Sequence, residues 1–333
     1  MVIDTASSIL ELKQELTNTI IAAHFYQKDE VFEMADIVGD SLELAKKIKA
    51  SDKEYVVFCG VEFMGQSAKI LSPEKRIYMP KRACCAMARM IDEKMFENSL
   101  EYLQKYSISK EEVVPVAYIN CSAWVKAMVG KMDGYICTSS NAQEIITKAM
   151  STGKKVLFVP DRCLGQNIAK QMGKTSCIIG DETDPTNIDI VCFDGFCSVH
   201  QAFVSSDIDF YRQKFQDILI VAHPECDPSV ADKADFVGST SQMITYINAL
   251  PKEQKIAVAT EFNLVKRMRK ENTYILSSSK PACPTMNETS LKNLHKALTH
   301  IKDGTEYLDE VLLDDETIHY ANIALSKMFD TLA

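Results

Sequence analysis

Three short apolar runs in this chain each end in two polar residues separated by a single position. They are His24 and Tyr26 in IIAAHFYQ, Tyr118 and Asn120 in VPVAYINCS, and His223 and Glu225 in ILIVAHPEC. On an extended chain, residues i and i+2 point to the same side, so each pair can face one cavity. Imidazole, phenol and carboxylate are groups that transfer protons in enzymes, so the set reads as an acid–base site. One histidine at a strand end is more often structural; three matched pairs at corresponding places argue for chemistry.

A second pattern is a set of small, hydroxyl-rich turns, each leading into a helical segment. Cys137, Thr138, Ser139, Ser140 and Asn141 form one; Gly238, Ser239, Thr240 and Ser241 form another; Gly39, Asp40 and Ser41 precede LELAKKIK. Free N–H groups and hydroxyls at a helix N-terminus suit phosphate or carboxylate, which nominates Ser41, Ser139 and Thr240 as substrate-binding residues. The plain reading is helix capping, and Ser140 with Gln143 has the spacing of a capping box.

Eleven cysteines occur and none are spaced as CxxC, so no zinc-ribbon or ferredoxin spacing is present. A metal site must therefore be assembled from distant segments. KRACC (Cys84, Cys85), DRC (Cys163), DGFCSVH (Cys197) and PAC (Cys283) supply the candidates, and symmetry between segments does not choose between Cys163 and Cys197. Cys59, Cys121, Cys137, Cys177 and Cys192 read as small buried hydrophobes.

The elements that would position these groups form a weak internal repeat. A β–α–β–α–β unit is expected three times: 20–27, 55–66 and 76–80; then 114–122, 134–144 and 155–160; then 218–226, 234–243 and 272–278. This predicts an α/β protein of three homologous three-layer αβα domains with small parallel sheets, at 15–105, 106–195 and 196–290, closed by helices at 1–14 and 291–333. Ligands bind beyond the carboxyl ends of parallel strands, so three such ends could meet at one site. With 333 residues, 46% hydrophobic composition and a net charge of −9, the chain has the profile of a compact enzyme and no general attraction for nucleic acid or anionic membrane. It lacks a signal-peptide pattern and an apolar run of membrane-spanning length, which predicts a cytoplasmic protein.

Taken in order, AHFYQ, GDSLELA, GVEFMGQSAKILSPEK, AYINCSAWVKA, CTSSNA, DGFCSVH, AHPEC, ADFVGSTS, ATEFNLV and CPTMN resemble the quinolinate synthase family along nearly the whole chain. The resemblance implies three αβα domains about a pseudo-threefold axis. It also implies a condensing and dehydrating synthase of transferase type in NAD biosynthesis, joining iminoaspartate to dihydroxyacetone phosphate to give quinolinate, phosphate and water. An aspartate oxidase would be the functional partner supplying iminoaspartate. The family's [4Fe–4S] cluster maps onto Cys85, Cys197 and Cys283, with Cys84 the alternate to Cys85 and Cys163 non-ligating. Three ligands leave one iron open as a Lewis acid. The resemblance implies an active-site set, to which we assign roles: Glu225 as principal base or acid aided by Tyr26 and Tyr118, with His24, His200 and His223 orienting substrate or shuttling protons. Ser41, Ser139 and Thr240 would hold anionic groups, and Asn120 a substrate hydroxyl. Another Fe–S hydro-lyase, a thiol-based redox sensor and a metal-free α/β enzyme are the alternatives.

Overall fold

The computed structural model describes residues 5–268 and 271–330. Its strands form three separate parallel sheets. The first contains β1 (Thr19–His24), β2 (Ile37–Gly39), β3 (Tyr55–Cys59) and β4 (Arg76–Tyr78). The second contains β5 (Val113–Tyr118), β6 (Tyr135–Cys137), β7 (Lys155–Val159), β8 (Ser176–Ile178) and β9 (Ile190–Cys192). The third contains β10 (Leu219–Ala222), β11 (Phe236–Val237), β12 (Ile256–Ala259) and β13 (Thr273–Ile275). Strand orders are β2-β1-β3-β4, β6-β5-β7-β9-β8 and β11-β10-β12-β13. Parallel neighbours need crossover connections, and helices supply most of them, giving an α/β fold in three parts.

This corrects the three-strand repeat. Each sheet shares a four-strand core ordered second, first, third, fourth, and the second sheet adds β8 at its edge. The strands at 37–39, 176–178, 190–192 and 256–259 were not anticipated, because runs of three or four residues are too short to show alternation. The equivalences shift as a result. YVVFC at β3 corresponds to KVLFV at β7, not to GYIC at β6, and the counterpart of RIY at β4 is IVC at β9.

Strand residues alternate between faces, as a doubly covered sheet requires. In the first sheet Ala22, Val56, Phe58 and Ile77 enter one core, while Ile21, Ala23, Val57, Cys59 and Tyr78 enter another with Ile9, Leu12, Leu294 and Leu298. The former core runs on without a break through both faces of the second sheet. The third sheet has two cores of its own. Helix Thr5–Glu15 packs on helix Leu291–Asp303, and helix Asp315–Asp330 lies across Ala123–Lys131. The last contact needs Gly130: a Cβ there would stand 1.9 Å from the carbonyl oxygen of Tyr320. Among the described residues, no helix is long and apolar enough to cross a membrane.

Candidate active site

The carboxyl ends of β1, β5 and β10 occupy matching places. His24 is in register with Gly39 on β2, Tyr118 with Cys137 on β6, and Ala222, just before His223, with Val237 on β11. The chain then turns in the same way twice: Tyr26 N–H donates to His24 Nδ1 at 3.1 Å, and Glu225 N–H to His223 Nδ1 at 3.2 Å. With Nδ1 accepting, a neutral ring carries its proton on Nε2. Burial is the main cause that drops His24 to about 4 and His223 to about 3, so both are neutral at neutral pH.

Glu225 is buried and doubly held. Tyr118 O–H donates to its Oε1 at 2.5 Å, and His200 Nδ1 lies 2.9 Å from its Oε2. Burial opposes ionisation of this carboxyl, yet the net shift is downward, through the neighbouring His200 and the hydrogen bonds from His200 and Tyr118. His223 at about 3 is uncharged near neutrality and adds no cation there. Burial first, and then the Glu225 charge, push both Tyr118 and Tyr26 well above the usual phenol range, so both remain proton donors. The rings of His200 and His223 stack at 4.5 Å. His200 Nε2 lies 3.1 Å from Thr260 Oγ1, which lies 3.0 Å from the Tyr26 hydroxyl; the Tyr26 hydroxyl is also 3.1 Å from Thr240 Oγ1.

The three sequence-distant cysteines prove to be structural equivalents. Cys85 follows β4, Cys197 follows β9 and Cys283 follows β13, so each comes after the fourth strand of its sheet. In every sheet the first amide of the helix beyond the third strand donates to the carbonyl two residues before the cysteine. These bonds are Glu62 N–H to Ala83 O (2.8 Å), Arg162 N–H to Gly195 O (2.8 Å) and Phe262 N–H to Pro281 O (2.9 Å). Each cysteine carbonyl then accepts from the amide four residues on, at Arg89, Gln201 and Asn287. The resulting turn aims backbone N–H groups at each sulfur: from Met87 and Ala88, from His200, and from Thr285 and Met286. Gly195 is required for this approach, since a Cβ there would lie 2.4 Å from Pro160 O. Cys163 falls after the third strand; it is buried off the cavity and accepts from Gln201 Nε2 at 3.3 Å. Cys84 does not line the cavity either.

One cavity gathers nearly the whole expected set: His24, Tyr26, Ser41, Tyr118, Asn120, Ser139, His223, Glu225 and Thr240, with Cys85, Cys197 and Cys283. His200 stands behind Glu225, outside the lining. Burial pushes Cys85 up to about 12 and raises Cys197 and Cys283, so the thiols are neutral without a bound cation. Cys197, His200 and Glu225 also place one ligand atom each within 4.8 Å of one another. Both His200 nitrogens and both Glu225 oxygens are already hydrogen-bonded, however, whereas the three thiols face the cavity.

The hydroxyl turns separate into caps and non-caps. Asp40 caps helix Ser41–Ala50 through Leu42 N–H and Glu43 N–H, and Ser239 caps helix Thr240–Ala249 through Gln242 N–H. Ser41 and Thr240 occupy the next position, leaving their hydroxyls free of that duty. The Ser140–Gln143 capping box does not form. Asn141 is the N-cap residue of helix Ala142–Met150, its Oδ1 accepts from Thr138 N–H at 2.7 Å, and Ser140 pairs with Thr138 Oγ1 instead. Sequence reasoning placed Asp40 and Thr138 in the turns without nominating them, although both line the cavity, and passed over Thr260, Glu261 and Asp161, which stand at third-strand ends. Ser241 Oγ donates to Asp40 Oδ2 at 2.6 Å, joining two of the turns. Asp161 is fully buried with Oδ2 unpartnered among the described residues, and burial followed by Glu225 pushes its carboxyl well up. The missing signal for Thr260 and Glu261 was strand β12 itself.

With this geometry established, relatives bear directly on it. The family described as "Quinolinate synthetase A protein" matches residues 7–330. The chain belongs to that family. It is 49% and 48% identical to proteins named quinolinate synthase from two Helicobacter pylori strains, HPAG1 and ATCC 700392 / 26695, covering 98% of this chain and 98% of each relative. A quinolinate synthase from Acidobacterium capsulatum is 35% identical over 94% of this chain and 89% of its own length. The family match spans all three sheets and every segment that reaches the cavity.

Proposed function

We propose that this protein is a quinolinate synthase that condenses iminoaspartate with dihydroxyacetone phosphate, giving quinolinate, phosphate and water. One observation carries the reading: three equivalent thiols, a Tyr–Glu–His acid–base group and the hydroxyl residues Ser41, Ser139 and Thr240 share one cavity, in a chain whose relatives bear that name. Cys85, Cys197 and Cys283 would hold a [4Fe–4S] cluster. The donor set fits, because Fe–S iron takes thiolates and N–H groups directed at the sulfurs stabilise the charge they carry. When bound, the cluster supplies an iron without a protein ligand, a Lewis acid for a substrate carboxylate, imine or hydroxyl.

The protein's own groups perform the rest. The overall reaction is condensation and dehydration with no net redox change, so protons must leave and join several substrate atoms. Glu225 acts as the principal base, aided by Tyr118, which donates to it, and by Tyr26, whose hydroxyl oxygen lies at the cavity wall. Neutral His24 and His223 offer Nε2–H to substrate carboxylate or carbonyl oxygen without bringing a cation into the cavity. His200 orients Glu225, and Asn120 fixes a substrate hydroxyl. Ser41 and Thr240, each the first residue of its helix, and Ser139, in the turn before helix Ala142–Met150, hold phosphate or carboxylate, where the helix dipole favours an anion. Oxidation of aspartate would supply the labile imine, which makes an aspartate oxidase the functional partner.

The test is purification without oxygen, iron and sulfide counting, a visible spectrum, and quinolinate formation from dihydroxyacetone phosphate with iminoaspartate generated in place. Four irons per chain and quinolinate production are expected of a [4Fe–4S] synthase. Iron-free protein that forms reversible disulfides instead would point to a redox sensor, and a loaded cluster with activity only on simple hydroxy acids to a hydro-lyase; either result removes the proposal.

A further inference from the structure

We infer that Thr260 is a positioning residue whose hydroxyl, lodged behind the cavity, fixes the tautomer of His200 and the direction of the Tyr26 hydroxyl. It thereby joins two cavity walls into one hydrogen-bonded chain. The inference rests on the acid–base reading above. Thr260 is fully buried, just beyond β12, and does not line the cavity. Its Oγ1 is 3.1 Å from His200 Nε2 and 3.0 Å from the Tyr26 hydroxyl.

With His200 neutral, donor accounting sets the direction of every bond. An ionised Glu225 only accepts, taking O–H from Tyr118 at Oε1 and N–H from His200 Nδ1 at Oε2. With its proton on Nδ1, neutral His200 has only a lone pair at Nε2, so Thr260 must donate there. That uses the single hydroxyl proton of Thr260, so Tyr26 donates to Thr260, and the Tyr26 oxygen accepts from Thr240. Every donor then points toward Glu225. The Tyr26 phenol proton is held away from the cavity, and its remaining lone pair is presented to it.

The consequence is chemical reach. A proton accepted at the Tyr26 oxygen releases the phenol proton to Thr260, the Thr260 proton to His200 Nε2, and the Nδ1 proton to Glu225. One proton enters, one arrives at the carboxylate, and no charge stays on the residues between. A single carboxylate can serve both the Tyr118 wall and the Tyr26 wall, and without the Thr260 hydroxyl the two walls are separate.

Thr260→Val keeps the shape and deletes the hydroxyl; Thr260→Ser keeps the hydroxyl and deletes a methyl. We expect Thr260→Val to lower kcat by about tenfold or more with KM for both substrates within about twofold, and Thr260→Ser to restore most of it. Iron content should match wild type in both. In a Tyr26→Phe background Thr260→Val should cost much less than in wild type, because the chain is already cut. An activity-independent arm uses 15N-labelled histidine, with the His200 resonances assigned by His200→Asn. His200 should show a protonated Nδ1 and a bare, hydrogen-bonded Nε2 whose shift moves in Thr260→Val and stays in Thr260→Ser. A protonated Nε2, a His200 signal indifferent to Thr260→Val, or equal kcat losses in Thr260→Val and Thr260→Ser would overturn the inference. If the wild-type protein makes no quinolinate, the functional proposal fails by itself, and the nitrogen shifts still decide Thr260.

Discussion

His223 and Glu225 are two positions apart, both are buried, and their environments drive them to opposite charge states. The imidazole sits at about 3 because burial penalises its cation, with His200 and His24 adding repulsion against the pull of Glu225. The carboxyl stays ionised because His200 and Tyr118 bind its charged form. A neutral donor beside a retained base is the division of labour that acid–base catalysis needs. It also leaves a thermodynamic mark. The unfolded chain protonates His223 near 6.5 and the folded protein only near 3, so the unfolded state binds the extra proton in between. Stability from keeping His223 neutral is complete above pH 6.5 and is lost as pH falls toward 3. Glu261, raised to about 7 chiefly by burial, has the opposite sign, so wild type alone is a poor gauge. The comparison to make is with His223→Asn, whose side-chain oxygen can still accept from Glu225 N–H. The stability difference, wild type minus variant, should fall by up to about 1.4 kcal/mol per pH unit below 6.5 in denaturant titrations. A difference that does not change between pH 6.5 and 5 would mean that His223 is charged in the fold.

At the scale of elements, the position of a cysteine within its sheet decides what it does. Cys85, Cys197 and Cys283 follow fourth strands and share the same two backbone hydrogen bonds; Cys163 follows a third strand and lies within helix Arg162–Gln171, where no helix-start amide docks two residues before it. Replacing Cys197 by Ser should therefore abolish iron binding, since a hydroxyl is a poor substitute for thiolate on Fe–S iron, whereas Cys163→Ser should keep full iron and absorbance. Iron retained in Cys197→Ser and lost in Cys163→Ser would reverse the assignment. The same scale explains the hydroxyl turns. Asp40 and Ser239 satisfy the helix-start amides, so the adjacent Ser41 and Thr240 are left to face the cavity. Capping falls to Asp40 and Ser239, so it does not compete with the anion binding proposed for Ser41 and Thr240.

For the whole molecule, the apolar core is unevenly shared. A continuous core fuses the first sheet to the second, while the third sheet keeps separate cores, against one of which Phe25 and Tyr26 pack, and is also tied to the first by polar contacts. Arg267 is the main clasp. It donates to Gln27 O and Asp29 Oδ1, both at 2.8 Å, and to Phe25 O; Lys266 also pairs with Asp29, and Asn263 Nδ2 donates to Tyr26 O at 3.1 Å. These contacts hold the segment carrying His24 and Tyr26 against the sheet carrying His223, Glu225 and Thr260. Arg267→Met removes the guanidinium that stacks over Phe32 and strands two backbone carbonyls, so it should cost about 2 kcal/mol of stability. It should also lower kcat/KM with iron content intact, because the cysteines belong to other segments. Unaltered melting and unaltered kcat/KM in that variant would show that the clasp is dispensable.

The sequence by itself determined the α/β class, the three-part repeat and the polar pairs at the first-strand ends, because these follow from runs and spacings along one stretch of chain. His24/Tyr26, Tyr118/Asn120 and His223/Glu225 were legible since i and i+2 share a side on any extended strand. Resemblance to relatives, rather than the repeat, was needed to prefer Cys197 over Cys163. The tertiary structure supplied the physical ground for that preference: strand order is set by pairing between distant segments, and only the β7–β9 pairing reveals Cys197 as the partner in symmetry of Cys85 and Cys283. Thr260 and Asp161 were hidden for the same reason. A threonine after IAVA and an aspartate after FVP look like ordinary loop residues until the fold buries them beside groups from other sheets. The four-residue β12 carries too little alternation to declare itself. Its place in the sheet is fixed by hydrogen bonds to β10 and β13, and those bonds form only once the chain has folded.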